Sequence, residues 1–260
     1  MRIARFTTGD EPRFGAVGQD ETGQTVIAVL QGDPLYRSIQ LTGEKVALED
    51  VRLLAPVIPR SKVVGVGRNY ADHAAEFDNP MPAEPLLFLK PNTSVIGPDE
   101  PIVLPEQSQE VHHEAELAVV IGRIAKSVPK EQVPDVIFGY TCANDVTARD
   151  LQRSDDQWTR AKGFDSFCPL GPWIETDLDV ADLAVRCRVD DEERQDGRTS
   201  QLAFDVATLV SYISEAFTLL PGDVILTGTP AGVGEIKAGQ HVTVTVEGIG
   251  VLSNPVVAAD

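Results

Sequence analysis

The stretch Val111-His112-His113-Glu114-Ala115-Glu116-Leu117-Ala118-Val119-Val120-Ile121-Gly122 sets two carboxylates two residues apart at the start of an apolar, β-branched run. A run of that kind forms a strand, and side chains alternate faces along a strand, so Glu114 and Glu116 point the same way. Like charges aimed at one point repel unless something positive lies between them. The pair therefore reads as half of a metal site built from oxygen ligands. Taken alone, it also fits an exposed strand face carrying ordinary solvated acidic residues.

A third carboxylate, Asp145, stands in Cys142-Ala143-Asn144-Asp145-Val146-Thr147, where an apolar strand ends just before a helix. Three carboxylates with no cysteine select a hard cation, Mg2+ or Mn2+, with positions open to water and substrate. His112 shares strand parity with Glu114, so a zinc or iron site using imidazole is the rival reading at this point. In His73-Ala74-Ala75-Glu76 an imidazole and a carboxylate meet across one helical turn, which fixes the tautomer of the histidine and raises its basicity. Arg68, Lys90, Arg149, Arg153, Arg160 and Lys162 gather near these motifs in a chain otherwise poor in cations. Arg149 and Gln152, three apart on the helix after Asp145, face one pocket. Arg153 and Arg160 read as surface ion pairs. From Gly222 a strand runs into the glycine-rich turn of GDVILTGTPAGVG, which bares backbone N–H groups for an oxyanion and adds the Thr229 hydroxyl. It lacks the Gly-Lys-Ser/Thr ending of a nucleotide loop, and Gly65-Val66-Gly67 lacks the third glycine of a dinucleotide fingerprint.

The net charge of −18 argues against nucleic acid and leaves an anionic substrate in need of a local positive pocket. No apolar run approaches membrane-spanning length, and the first residues lack a signal-peptide core. Three cysteines, far apart and odd in number, suggest neither a disulfide framework nor a zinc knuckle, and a reduced, cytoplasmic setting fits them. Strands are expected at Arg2–Phe6, Phe14–Val17, Thr25–Val29, Lys62–Val66, Leu86–Leu89, Glu116–Ile121, Tyr140–Asp145, Ala184–Val189, Val224–Thr227 and His241–Val246. Helical spacing of Leu202, Val206, Leu209, Val210, Ile213 and Phe217 predicts one clear helix, with Thr199 or Ser200 as cap and Pro221-Gly222 as stop. A second helix is expected through Thr147–Gln152 and a helical turn at Tyr70–Phe77. Strands and helices do not alternate regularly, which argues against a doubly wound parallel sheet. A domain boundary is placed near residue 60.

Five segments resemble, in order, the fumarylacetoacetate hydrolase family and specifically its compact bacterial and mitochondrial branch. They are GVGRNYADHAAE (65–76), PLLFLKP (85–91), HHEAELAVVIG (112–122), DVTARDLQ (145–152) and GDVILTGTPAGVG (222–234). Residues 1–60 resemble more loosely the small N-terminal domain of some bacterial members. The resemblance implies a mixed α/β, mostly β fold: a β-sandwich roll over 61–260 with a small β-rich domain over 1–60, assembled as a homodimer. It implies Mg2+ or Mn2+ on Glu114, Glu116 and Asp145, which demotes His112 as a ligand and tilts the choice away from zinc. It puts the catalytic pair His73 and Glu76 on a lid over the substrate. Lys162 is implied to stabilise an enolate, and Arg149, Gln152 and Thr229 to bind substrate, with Lys90 as a further pocket candidate.

The substrate implied is a small anionic 2-oxo (or enol) dicarboxylic acid. Three outcomes share such a site. Isomerisation of 2-hydroxyhepta-2,4-diene-1,7-dioate, a step of aromatic-compound catabolism, matches the two-domain layout best. Acylpyruvate or fumarylpyruvate C–C hydrolysis and oxaloacetate decarboxylation are the alternatives, and a non-catalytic binder of metal or dicarboxylate is a different class. One departure stands out: where the family often has Asn-Gly before the Arg-Gln of its late hairpin, Asp190-Asp191 here precedes Glu192-Glu193-Arg194-Gln195. That alters a turn rather than the chemistry.

Overall fold

The structure is a computed structural model that describes residues 1–259. Its spine is the Ala115–Ile121 strand, buried at all of its positions. Both faces are apolar because each meets a different core. Leu117, Val119 and Ile121 enter one cluster with Val185, Val244 and Leu252 and with Leu209 and Ile213 of a helix. Ala118 and Val120 enter a second cluster with Ile3, Leu170, Val224 and Leu226. Burying each large aliphatic side chain contributes about 1.5–3 kcal/mol, so the strand is held from two sides.

Ala115–Ile121 lies inside a twelve-stranded sheet. From one edge the order is Leu41–Ala47, Thr25–Leu30, Arg13–Gln19, Arg2–Thr7, Cys168–Glu175, Ile137–Asn144, Ala115–Ile121, Val224–Leu226, Val63–Gly67 and Leu86–Lys90. Arg52–Leu54 and Val95–Ile96 pair off this path. Most pairings are antiparallel, but Val224–Leu226 runs parallel to Val63–Gly67. A five-stranded sheet packs across the first core in the order Glu192–Arg198, Ala184–Val189, His241–Val246, Gly250–Ala258 and Ile102–Leu104. A small third sheet joins Thr147–Ala148, Val111–His113 and Gly234–Glu235. Mostly β architecture with a β-rich N-terminal part is thus observed, and the parallel doubly wound alternative is absent.

Two local expectations need correcting. The long helix spans Val206–Ala216 and is capped by Asp205, whose side chain accepts from the Thr208 N–H at 2.7 Å. Thr199 and Ser200 instead open a separate 3-10 turn, Thr199–Gln201. The helix after Asp145 begins only at Arg149, because Thr147 and Ala148 pair with His112 and Val111. The expected turn at Tyr70–Phe77 is realised as the helix Ala71–Glu76. Among the described residues, no helix is long and apolar enough to cross a membrane.

Candidate active site

Glu114 falls in the one-residue gap between Val111–His113 and Ala115–Ile121, and Glu116 on the second of these strands. Asp145 follows the end of Ile137–Asn144, the neighbouring strand. Its backbone N–H donates to the Glu114 carbonyl at 2.9 Å, and Asn144 Oδ1 accepts from the Glu114 N–H at 2.9 Å. Strand pairing thereby brings the third carboxylate to the first two. One oxygen from each of Glu114, Glu116 and Asp145 lies within 4.8 Å of the others, and all three residues are buried.

Cations hold this cluster together. The Lys162 ammonium lies 2.7 Å from Glu114 Oε2 and 2.7 Å from Asp145 Oδ2. Arg149 Nη2 reaches Glu114 Oε1 at 2.5 Å, and Arg149 Nη1 donates to Gln152 Oε1 at 2.5 Å. Burial alone would raise the Glu114 carboxyl, yet Lys162 and Arg149 hold it well below the usual carboxylate range. Burial works against the Lys162 ammonium, but Asp145 and Glu114 outweigh it and raise its pKa. Among the described residues Glu116 has no ion pair: burial first, then the charges of Asp145 and Glu114, push its carboxyl well above the ordinary value, and the more distant Lys162 offsets them only in part. Its Oε2 accepts only from the Gly228 N–H, at 2.6 Å.

The glycine-rich turn does something other than bare its N–H groups to an oxyanion. Gly228 N–H is taken by Glu116, and Gly232 N–H by Glu76 Oε1 at 2.6 Å. Gln195, from the late hairpin, locks the same region. Its Oε1 accepts from the Ala115 N–H at 2.9 Å and faces His113 Nδ1 at 3.1 Å. Its Nε2 donates to Thr229 Oγ1 and to the Pro230 carbonyl, each at 2.7 Å. The Thr229 hydroxyl in turn donates to the Ala115 carbonyl at 2.9 Å. Gln195 is fully buried, and the sequence marked it only as part of a hairpin.

On the helix Ala71–Glu76, His73 Nδ1 lies 3.1 Å from Glu76 Oε2. A carboxylate can only accept, so Nδ1 carries the proton and Nε2 presents a lone pair. Burial lowers the His73 pKa more than Glu114 and Glu76 raise it, so the imidazole is neutral near pH 7. The Phe77 ring packs edge-on to His73 and 4.8 Å from the Arg149 guanidinium.

These groups surround a cavity of about 280 Å³. Of the residues expected in the site, it is lined by His73, Glu114, Glu116, Asp145, Arg149, Gln152, Lys162 and Thr229. Glu76 is not among the lining residues and reaches the site through His73. Lys90 is not among the lining residues: it is 2% exposed, with its ammonium 2.5 Å from Asp145 Oδ1. The lining also includes Phe77, Phe88, Trp158, Arg68 and Arg153, which motif spacing alone did not single out as walls. His112 is held by Glu110 and Arg149 and does not line the cavity. Arg153 and Arg160 form exposed ion pairs, with Glu110 and with Asp155.

The donor set fits a hard divalent cation. It offers carboxylate oxygens alone, on or next to paired strands, and the repulsion that raises Glu116 is what a bound cation would relieve.

Comparison with known proteins gives the following. Residues 62–257 match the family model described as Fumarylacetoacetate (FAA) hydrolase C-terminal, and residues 1–56 match Rv2993c-like, N-terminal. The mitochondrial oxaloacetate tautomerase fahd2 of Xenopus laevis is 40% identical over 99% of this chain and 90% of that protein. The crystal structure of 2-hydroxyhepta-2,4-diene-1,7-dioate isomerase from Mycobacterium marinum superposes with a TM-score of 0.91 at 49% identity, covering 99% of this chain and 98% of that one. Maleylpyruvate hydrolase from Sphingobium sp. SYK-6, in complex with manganese(II) and pyruvate, superposes at 0.81 with 32% identity over 100% of both chains.

Proposed function

The chain belongs to the fumarylacetoacetate hydrolase family, and from that premise we propose that this enzyme shifts a proton within a small 2-oxo (or enol) dicarboxylic acid, as a 2-hydroxyhepta-2,4-diene-1,7-dioate isomerase does. The observation that carries the reading is a buried carboxylate cluster opening into the same cavity as a neutral, oriented imidazole. Held by Glu114, Glu116 and Asp145, a Mg2+ or Mn2+ ion supplies Lewis acidity toward the oxygens of a 2-oxo acid. Manganese and pyruvate in the relative from Sphingobium support that choice of ion and of substrate head.

The residues of the chain divide the remaining work. Arg149 and Gln152, joined to one another, orient a substrate carboxylate. Lys162, kept charged by its two carboxylate neighbours, offsets negative charge gathering on the 2-oxygen. His73 Nε2 takes the proton of the enol hydroxyl, and a proton is returned to a carbon of the conjugated chain. Glu76 holds the Nδ1–H throughout. No bond between heavy atoms breaks, so only one acid–base pair is required. The tautomerase name of the relative from Xenopus supports the same proton transfer more than it supports decarboxylation. A reducing cytoplasm, supported by three unpaired, buried cysteines, and a homodimer belong to the same reading.

A second reading, C–C hydrolysis, uses the same dyad to take a proton from water, and the hydrolase relative at 32% identity favours it. One experiment separates the two. With added Mg2+ or Mn2+, 2-hydroxyhepta-2,4-diene-1,7-dioate, fumarylpyruvate and oxaloacetate are offered in turn, and products are followed by ultraviolet absorbance and mass. Conversion with the carbon skeleton intact is expected, falling roughly 100-fold or more in H73A. Cleavage products would favour the hydrolase. Metal binding with no turnover of any substrate would leave a binder.

A further inference from the structure

Strand Val63–Gly67 ends under an aromatic shelf. A Cβ at Gly65 would sit 2.1 Å from the Phe88 ring, and one at Gly67 would sit 2.6 Å from the Trp158 ring. Both glycines lie on one face of the strand, and their bareness lets the edges of the two rings approach the backbone. Phe88 and Trp158 touch edge to face with centroids 5.6 Å apart. The Lys162 ammonium stands 5.0 Å from the Phe88 ring, and the Arg68 guanidinium 5.9 Å from the Trp158 ring. An aromatic wall thus runs from the carboxylate cluster at one end to Arg68 at the other, and all of these groups line the same cavity.

Arg68 is mounted with care. Its φ of 55° lies in the left-handed region, which a residue with a side chain adopts only when its surroundings enforce it. The surroundings do so: Gly67 is pinned under Trp158, and Asn69 is fully buried. The Asn69 amide donates to the Thr227 and Phe204 carbonyls and accepts from the Phe204 N–H. Yet among the described residues the Arg68 guanidinium has no ion pair and no hydrogen bond. Each of the other cations of the cavity already has a carboxylate partner. Arg149 and Lys162 are bound to the carboxylate cluster, and Arg153 to Glu110. An unpaired guanidinium facing a cavity, in a chain of net charge −18, is placed to bind an anion supplied from outside.

We propose that Arg68 binds the distal carboxylate of the substrate and makes the site select dicarboxylates over monocarboxylates, with the Phe88–Trp158 wall carrying the flat carbon chain between the two charged ends. The proposal rests on the reading that the carboxylate cluster end receives the 2-oxo acid head.

A matched pair of probes tests it: 2-oxoadipate and 2-oxohexanoate have the same chain length and differ by the terminal carboxylate. Their affinities are measured by calorimetry in the presence of Mn2+, for the wild type and for R68M, R68K and R153M. The wild type should prefer 2-oxoadipate. R68M should weaken 2-oxoadipate by about 10- to 100-fold, leave 2-oxohexanoate and Mn2+ binding unchanged, and so abolish the preference. R68K should restore part of it. Equal loss for both probes, no loss for either, or loss of the preference in R153M instead would overturn the assignment while leaving the 2-oxo acid reading intact. Failure of the wild type to bind either probe would overturn both.

Discussion

Glu116 is the residue on which the site turns. Its neighbours Glu114 and Asp145 each have cations in contact, whereas Glu116 has one backbone N–H and two negative neighbours. Replacing it by Gln keeps a carbonyl oxygen for Gly228 and removes an ionisable carboxyl from a crowded, buried cluster. Affinity for Mg2+ or Mn2+, read by calorimetry, should fall by more than the roughly 10- to 100-fold that losing a supporting partner costs. The metal-free melting temperature should hold or rise, because a buried repulsion has gone. Unchanged metal affinity would remove Glu116 from the ligand set. The Glu114–Glu116 pair was legible because strand alternation is a local rule. Lys90 shows the limit of such rules: spacing placed it near the motifs, but only tertiary packing pairs it with Asp145 and leaves it out of the cavity lining. Gln195 was not legible as a site residue, since its partners Ala115 and Thr229 come to it only when the two sheets pack.

Among the elements, strands were easier to read than the ends of helices. The apolar runs at Ala184–Val189 and His241–Val246 formed as expected, whereas Glu192–Arg198, charged along most of its length, carries no apolar signal and is a strand because it pairs with its neighbour. Helix starts were displaced for a different reason. Several residues upstream of Val206 are competent caps, and the sequence does not say which has its backbone already engaged. Thr199 and Ser200 are used by a 3-10 turn, which leaves the role to Asp205. D205A should therefore cost about 1 kcal/mol. That is a fall of about 2–4 °C in melting temperature for a chain of this size, measured by calorimetry. Ser200→Ala should leave the helix cap intact, and the reverse ranking would contradict the geometry.

At the level of the whole molecule, the N-terminal strands are not a separate bead. Arg2 and Ile3 pair with Glu175 and Ile174, and Ile3 and Leu30 share a core with Val224 and Leu226, which flank the carboxylate strand. The boundary near residue 60 falls at Pro56-Val57-Ile58-Pro59, at the junction of the two matched segments, while the sheet runs through it. Removing residues 1–56 should therefore uncover the edge of Cys168–Glu175 and part of that core. The shortened chain should melt at lower temperature and self-associate in size-exclusion chromatography. A monodisperse product with unchanged melting would show that the sheet continuity is incidental. The turn from Gly228 to Gly232 has another consequence. It grips a carboxylate of the buried cluster at one end and the carboxylate that orients His73 at the other, so it acts as a spacer between them. Surface loops ordinarily absorb added residues with little penalty. Here one extra residue would delete no side chain and still put the proton acceptor out of step with the cluster, and the two ends are closed to substitution as well, since Gly228 and Gly232 have positive φ and no room for a Cβ.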